Sequence, residues 1–143
     1  MPVMTIEQMS RFLAEHFPQG EKFGVLTGLG DNWAEMKLPV DDEHLRPGGT
    51  VSGPSMMALA DVCMYAALLG RIGPVALAVT TNLNINFMSK PRPDADLLAR
   101  CSLMKVGKRL AVGEVWIRSE GSDELVAHTT LTYSIPASAS AEC

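Results

Sequence analysis

Apolar residues first recur at helical spacing, at Ile6, Met9, Leu13 and Phe17, until Pro18 and Gly20 interrupt the period. Thr5 followed three residues later by Gln8 is a capping-box signal, so a short amphipathic helix opens the chain. Residues 23–29 and 33–38 roughly alternate around Gly30-Asp31-Asn32, which predicts a β-hairpin. Residues 40–52, VDDEHLRPGGTVS, hold turn formers and charges without a period and predict an irregular loop. Next comes the longest apolar run, Pro54 to Leu69, with Asp61 its only charge. Ser52 or Gly53 can cap a helix there, Pro54 suits its first turn, and Gly70 followed by Gly73-Pro74 ends it.

From residue 79 the period becomes two. Val79, Thr81, Leu83, Ile85 and Phe87 fall on one side of a strand, and Thr80, Asn82, Asn84 and Asn86 on the other. Pro91 and Pro93 bound it. Further strands are predicted over 97–106 and 110–118, joined at Gly107-Lys108-Arg109, and over 125–135, where Ala127, Thr129, Leu131 and Tyr133 alternate with His128, Thr130 and Thr132. This order predicts an α+β fold in one domain, 1–136, with an antiparallel sheet and helices on one face; residues 137–143 are expected to be a frayed, flexible tail. A helix apolar on nearly every side must be surrounded, so the sheet is expected to wrap around the central helix and a second subunit to cover the remainder.

Composition narrows the function. The chain has 143 residues, 47% apolar and 20% charged, the balance of one globular domain. A net charge of −4 argues against nucleic acid as partner, because binding polyanions relies on Lys and Arg. Cys63, Cys101 and Cys143 fit neither a disulfide framework nor a zinc site, and His16, His44 and His128 are scattered, so no metal is expected and a reduced, cytoplasmic setting is. The N-terminal stretch does not read as a signal peptide, and the central apolar run falls short of the ~20 residues of a membrane span.

Asp61 is the anomaly in this pattern. A carboxylate inside an apolar helix is costly unless it is paired or functional, and the residues by themselves support a structural and a catalytic role alike. Gly53 opens the same helix, where it is either a plain cap residue or the source of an N–H that holds an oxyanion. Eight residues of helix separate the two by roughly 12 Å. One helix does not bring both to one carbonyl, whereas two antiparallel copies do, which predicts a homodimer with two equivalent sites.

The stretch SGPSMMALADVCMYAALLG resembles the central-helix signature of hotdog-fold thioesterases of the phenylacetate-pathway (PaaI-like) type, in which His-Gly-Gly precedes a helix carrying Leu-Ala-Asp. VTTNLNINFMSKP resembles the strand that follows in that family, and KVGKRLAVGEVWI and VAHTTLTYSIP resemble its last two strands. The resemblance implies a hotdog fold and hydrolysis of an acyl-CoA thioester, with Asp61 as general base or nucleophile, Gly53 of the other subunit as oxyanion donor and Thr80 helping to hold the attacking water. It sets Arg46 and Ser52 near the thioester, with Asn82 a further candidate for substrate binding. Met57 is either core filling or part of an acyl pocket, and Lys90, Lys108 and Arg109, at strand ends and turns, are either solvated charges or contacts to coenzyme A phosphates. No cofactor is implied, coenzyme A being part of the substrate, and the expected assembly is a homodimer or a homotetramer built as a dimer of dimers. Three positions depart from the pattern: the family His is Ser52, its second Gly is Pro54 and its usual Asn is Arg46. These departures motivate an alternative, a non-catalytic hotdog protein that binds acyl-CoA or lipid.

Overall fold

The computed structural model describes residues 2–137, Glu21 by its backbone alone, so the expected tail lies outside the described residues except at 137. Helix α1 spans Ile6–His16 and starts at the expected capping box, with Thr5 Oγ1 accepting from the Gln8 N–H and Gln8 Oε1 from the Thr5 N–H. Pro18 ends the α-helical period, but Pro18–Phe23 continues as a 3-10 turn, so strand β1 begins at Val25 instead of Phe23. Strands β1 (Val25–Gly30) and β2 (Trp33–Leu38) form the expected hairpin, turning at Asn32 in the left-handed region with φ 65°. The loop that follows contains a 3-10 turn at Asp42–His44 and is closed by a bridge between Leu45 and Val51.

Helix α2 spans Gly53–Ile72, capped by Ser52, whose Oγ accepts from the Ser55 N–H at 3.3 Å. It passes through Gly70, where the sequence pattern predicts an end, and stops at Gly73, whose φ of 101° suits glycine. Gly70 instead serves packing: a Cβ there would lie 2.8 Å from Leu29 Cδ1. By length and composition α2 could cross a bilayer, but 67% of its most apolar window is buried within this fold. It is the core helix.

Strands β3 (Val79–Phe87), β4 (Leu97–Val106), β5 (Leu110–Ser119) and β6 (Leu125–Ser134) complete an antiparallel sheet of six strands in the order β1-β2-β4-β5-β6-β3. Helix α2 lies chiefly across β2, β4 and β5 and buries Leu59, Cys63, Met64, Ala67 and Leu68 against Ala34, Met36, Ala99, Val115 and Ile117. Gly113 permits the closest approach, because a Cβ on it would meet Met64 Sδ at 2.6 Å. Bulges interrupt β1, β3 and β4, and the stronger local twist they bring lets the sheet curl about the helix as a hotdog fold.

The bulge in β3 corrects the expected alternation. Thr80 pairs with Tyr133 and Asn82 with Thr132, so Thr81 is an extra residue and Thr80 joins Leu83 and Ile85 on the helix side. Asn82, Asn84 and Asn86 remain on the outer face, as expected.

Candidate active site

Asp61 sits on the third turn of α2, half-buried, where the helix passes the ends of β3 and β6. Thr80 Oγ1 donates to its Oδ1 at 2.6 Å and the Tyr133 hydroxyl donates to the same oxygen at 2.7 Å. The Tyr133 hydroxyl also lies 3.0 Å from the Asp61 carbonyl oxygen, so its one proton sits between the side-chain and main-chain acceptors. Burial, followed by the negative charge of Asp61, holds the Tyr133 phenol well above its usual range, which keeps it a donor. Among the described residues no donor reaches Oδ2. The carboxylate is therefore held through one oxygen and offers the other.

That carboxylate opens on a cavity of about 240 Å³ whose walls include Thr80, Tyr133, Tyr65, Phe17 and Ala78. Tyr65 is fixed by donating to the Ala76 carbonyl at 2.9 Å, and its ring lies 6.2 Å from Tyr133 and 6.4 Å from Phe17. Asp61, Thr80 and Tyr133 present polar groups to a hollow whose other walls are mostly apolar or aromatic, with His16 beside Phe17, a usual form of small-molecule site.

Gly53 is not part of this cluster. It lies against Phe87, whose ring would stand 3.1 Å from an added Cβ, whereas Asp61 lies against Thr80 near the other end of β3. Pro54 has no N–H and Ser52 engages those of Ser55 and Met56, which leaves the Gly53 N–H as the first helical donor not taken by the cap. Gly53, Met57 and Asp61 share one face of α2 at four-residue spacing, and Met57 is 38% exposed on a helix otherwise largely buried. Leu77, Val79, Phe87 and Met88, between 51% and 61% exposed, extend this uncovered apolar surface along the edge strand β3 and its approaches.

The other expected contacts scatter within one chain. Arg46 is exposed in the loop before α2, where its N–H donates to the Thr50 carbonyl. Ser52 is occupied with capping, its hydroxyl donating to Ser55 Oγ at 2.9 Å. Asn82 is on the outer face of β3. Lys90 follows β3 beyond Phe87, at the Gly53 end, while Lys108 and Arg109 lie in the β4–β5 turn, next to the paired Leu110 and Ser134 at the Asp61 end. Asp41, Glu43 and His44 bring potential metal-ligand atoms within 4.8 Å of one another, but they already cap their own turn: Asp41 accepts from the Glu43 N–H and His44 Nδ1 from the Asp41 N–H.

Of the residues that the sequence singles out, Asp61 and Thr80 meet in the fold. Tyr133, Tyr65 and Phe17, which complete the hollow, escape sequence reasoning. A signal for Tyr133 was present: an inward tyrosine on β6 needs a hydrogen-bond partner, and a carboxylate on the facing helix was the candidate.

Residues 48–133 match the family model of the thioesterase superfamily. A provisionally named thioesterase from Silicibacter sp. TM1040 is 48% identical, with 95% of this chain and 94% of that one covered at a TM-score of 0.88. The phenylacetic acid degradation protein PaaI of Thermus thermophilus, solved as a point mutant, is 28% identical over 83% of this chain and 99% of that one, with a TM-score of 0.73. A provisionally named esterase of Pasteurella multocida is 26% identical over 92% of both chains.

Proposed function

The chain belongs to the thioesterase superfamily, and on that premise we propose that it hydrolyses an acyl-coenzyme A thioester to a carboxylic acid and free coenzyme A. The observation that carries this reading is the Asp61 carboxylate, which lines the cavity and is held through Oδ1 by Thr80 and Tyr133. Asp61 Oδ2 takes a proton from a water, and the resulting hydroxide attacks the thioester carbonyl. Oxygen gains the negative charge, which the Gly53 N–H of a second copy stabilises at its helix N-terminus. When the carbonyl re-forms, the C–S bond breaks and the thiolate recovers the proton from Asp61. Thr80 gives its own proton to Asp61 and keeps lone pairs for the water.

The shared site requires two copies with α2 antiparallel, which the uncovered stripe of Gly53, Met57 and Asp61 and the apolar edge of β3 support. That arrangement sets Lys90 of one copy at the same end as Lys108 and Arg109 of the other, three cations for the phosphates of coenzyme A. No metal or further cofactor enters this reaction. The buried free thiols of Cys63 and Cys101 fit a reducing, cytoplasmic setting.

Thiol release measured over short, long, branched and aryl acyl-CoAs tests the reading. Asp61→Asn should lower kcat by at least about 10²-fold while the fold persists, and mixing Asp61→Asn with Gly53→Pro subunits should restore part of the activity. An Asp61→Asn protein as active as the parent overturns the assignment. A single turnover in ¹⁸O-water tests the nucleophile role of Asp61, since label incorporated into the aspartate requires that its carboxylate attacked the acyl carbon. One observation favours a second reading. With Ser52 engaged as a cap where the family pattern has His, the protein binds acyl-CoA without cleaving it, and tight binding with no thiol release across the panel selects that alternative.

A further inference from the structure

The cavity beside Asp61 does not end in solid core. A second, apolar cavity of about 340 Å³ lies beneath α1, between that helix and strands β1 and β2, and is lined by Leu13, Ala14, Leu26 and Met36. Phe17 and Val62 line both cavities. Phe17 is the residue at which α1 ends, its N–H donating to the Leu13 carbonyl at 2.8 Å. Its ring is seated on Gly20, where a Cβ would come within 2.7 Å of it, and lies edge-on to Tyr65 at 6.4 Å and 6.3 Å from Phe23. A large, rigid side chain with two χ angles, held on three sides, thus stands between the hollow that contains the carboxylate and an apolar space beyond it.

We infer that the acyl group of the substrate occupies the cavity beside Asp61 and that the Phe17 ring is its far wall, restricting the enzyme to compact acyl groups and closing off the space under α1. The inference rests on the proposed thioester chemistry for its substrate but not for its geometry. Two observations assign the acyl end and not the coenzyme end to this hollow. Tyr65, Phe17, Val62 and Ala78 give the part away from Asp61 mostly apolar walls, with His16 beside Phe17 at the α1 end, and the cations Lys90, Lys108 and Arg109 are absent from its lining. In the parent, an alkyl chain that outgrows the hollow meets the ring edge; with the ring removed, it continues into an already apolar space and gains buried area at each added methylene. The helix α1 is thereby a specificity element, because Phe17, the residue that caps its C-terminus, sets how long an acyl chain the site accepts.

Phe17→Ala tests this, with Phe17→Leu alongside in case the larger truncation unsettles α1. Rates with butyryl-, octanoyl- and dodecanoyl-CoA are compared, together with binding of the uncleavable S-butyl, S-octyl and S-dodecyl coenzyme A thioethers by calorimetry. The expected result is a preference for short chains in the parent and, in Phe17→Ala, a gain of about tenfold or more in affinity and kcat/KM for the longest chain relative to butyryl-CoA. Ala14→Trp added to Phe17→Ala, which refills the space under α1, should cancel the gain. An unaltered chain-length profile in both Phe17 variants overturns the inference. If the parent releases no thiol from any substrate, the catalytic reading fails, and the thioether affinities still decide the role of Phe17.

Discussion

A carboxylate bonded through one oxygen by two hydroxyls has little freedom left to rotate, and that restraint is what Thr80 and Tyr133 contribute at Asp61. Hydrogen bonds to charged groups are each worth about 1.5–3 kcal/mol. Tyr133→Phe should therefore lower kcat about 10- to 100-fold with KM nearly unchanged, since the phenol positions the base and does not hold the substrate. Thr80→Val should act in the same direction. The double variant should fall short of the product of the two, because both donors serve the same oxygen. Equal kcat for Tyr133→Phe and the parent, by steady-state thiol release, would show that the bond positions nothing that matters to the reaction.

At the scale of elements, α2 and β3 carry an unfinished surface. The stripe of Gly53, Met57 and Asp61 lies half open on a helix whose other faces are packed. Edge strands that expose apolar residues invite pairing, and β3 exposes Val79 and Phe87. Met57→Arg places a charge in the middle of the expected contact, where an unpaired buried charge costs several kcal/mol. It should weaken self-association at least about 100-fold, read by sedimentation velocity, and abolish activity at concentrations where the chain is monomeric. A Met57→Arg protein that stays dimeric and active places the interface elsewhere.

The whole molecule responds to alkali through its buried acids. Burial pushes the Cys101 thiol up to about 12 from its ordinary 9.0, with the charge of Glu114 adding to the effect. Burial likewise raises Cys63 and Tyr65, and burial together with Asp61 raises Tyr133. Each group keeps its proton in the fold after the unfolded chain has lost it, so above the unfolded pKa the unfolded state binds fewer protons and stability falls as pH rises. The contribution is fully present below 9.0 and, for Cys101, is lost progressively up to about 12. Melting temperature should hold to about pH 9 and then decline, and Cys101→Ala should flatten the decline. An identical alkaline slope in that variant, by scanning calorimetry, would exclude the thiol as its source.

The order of elements, the core role of α2 and the oddity of Asp61 were legible in the residues, because each depends on a short stretch of chain: a period of 3.6 or 2, a cap, or one charge among apolar neighbours. The separation of Gly53 from Asp61 was legible for the same reason, since the rise of a helix is fixed. Tertiary structure alone decided which side chains meet. Simple alternation sends Thr80 outward; the extra residue at the β3 bulge turns it onto Asp61, and a slip of one residue is invisible to a period-two pattern yet reverses every side chain beyond it. Tyr133 reaches the same oxygen because β6 lies between β5 and β3, and Phe17 reaches the cavity because α1 packs back along the sheet edge at β1. Those contacts join residues far apart in the chain, and no local periodicity records them.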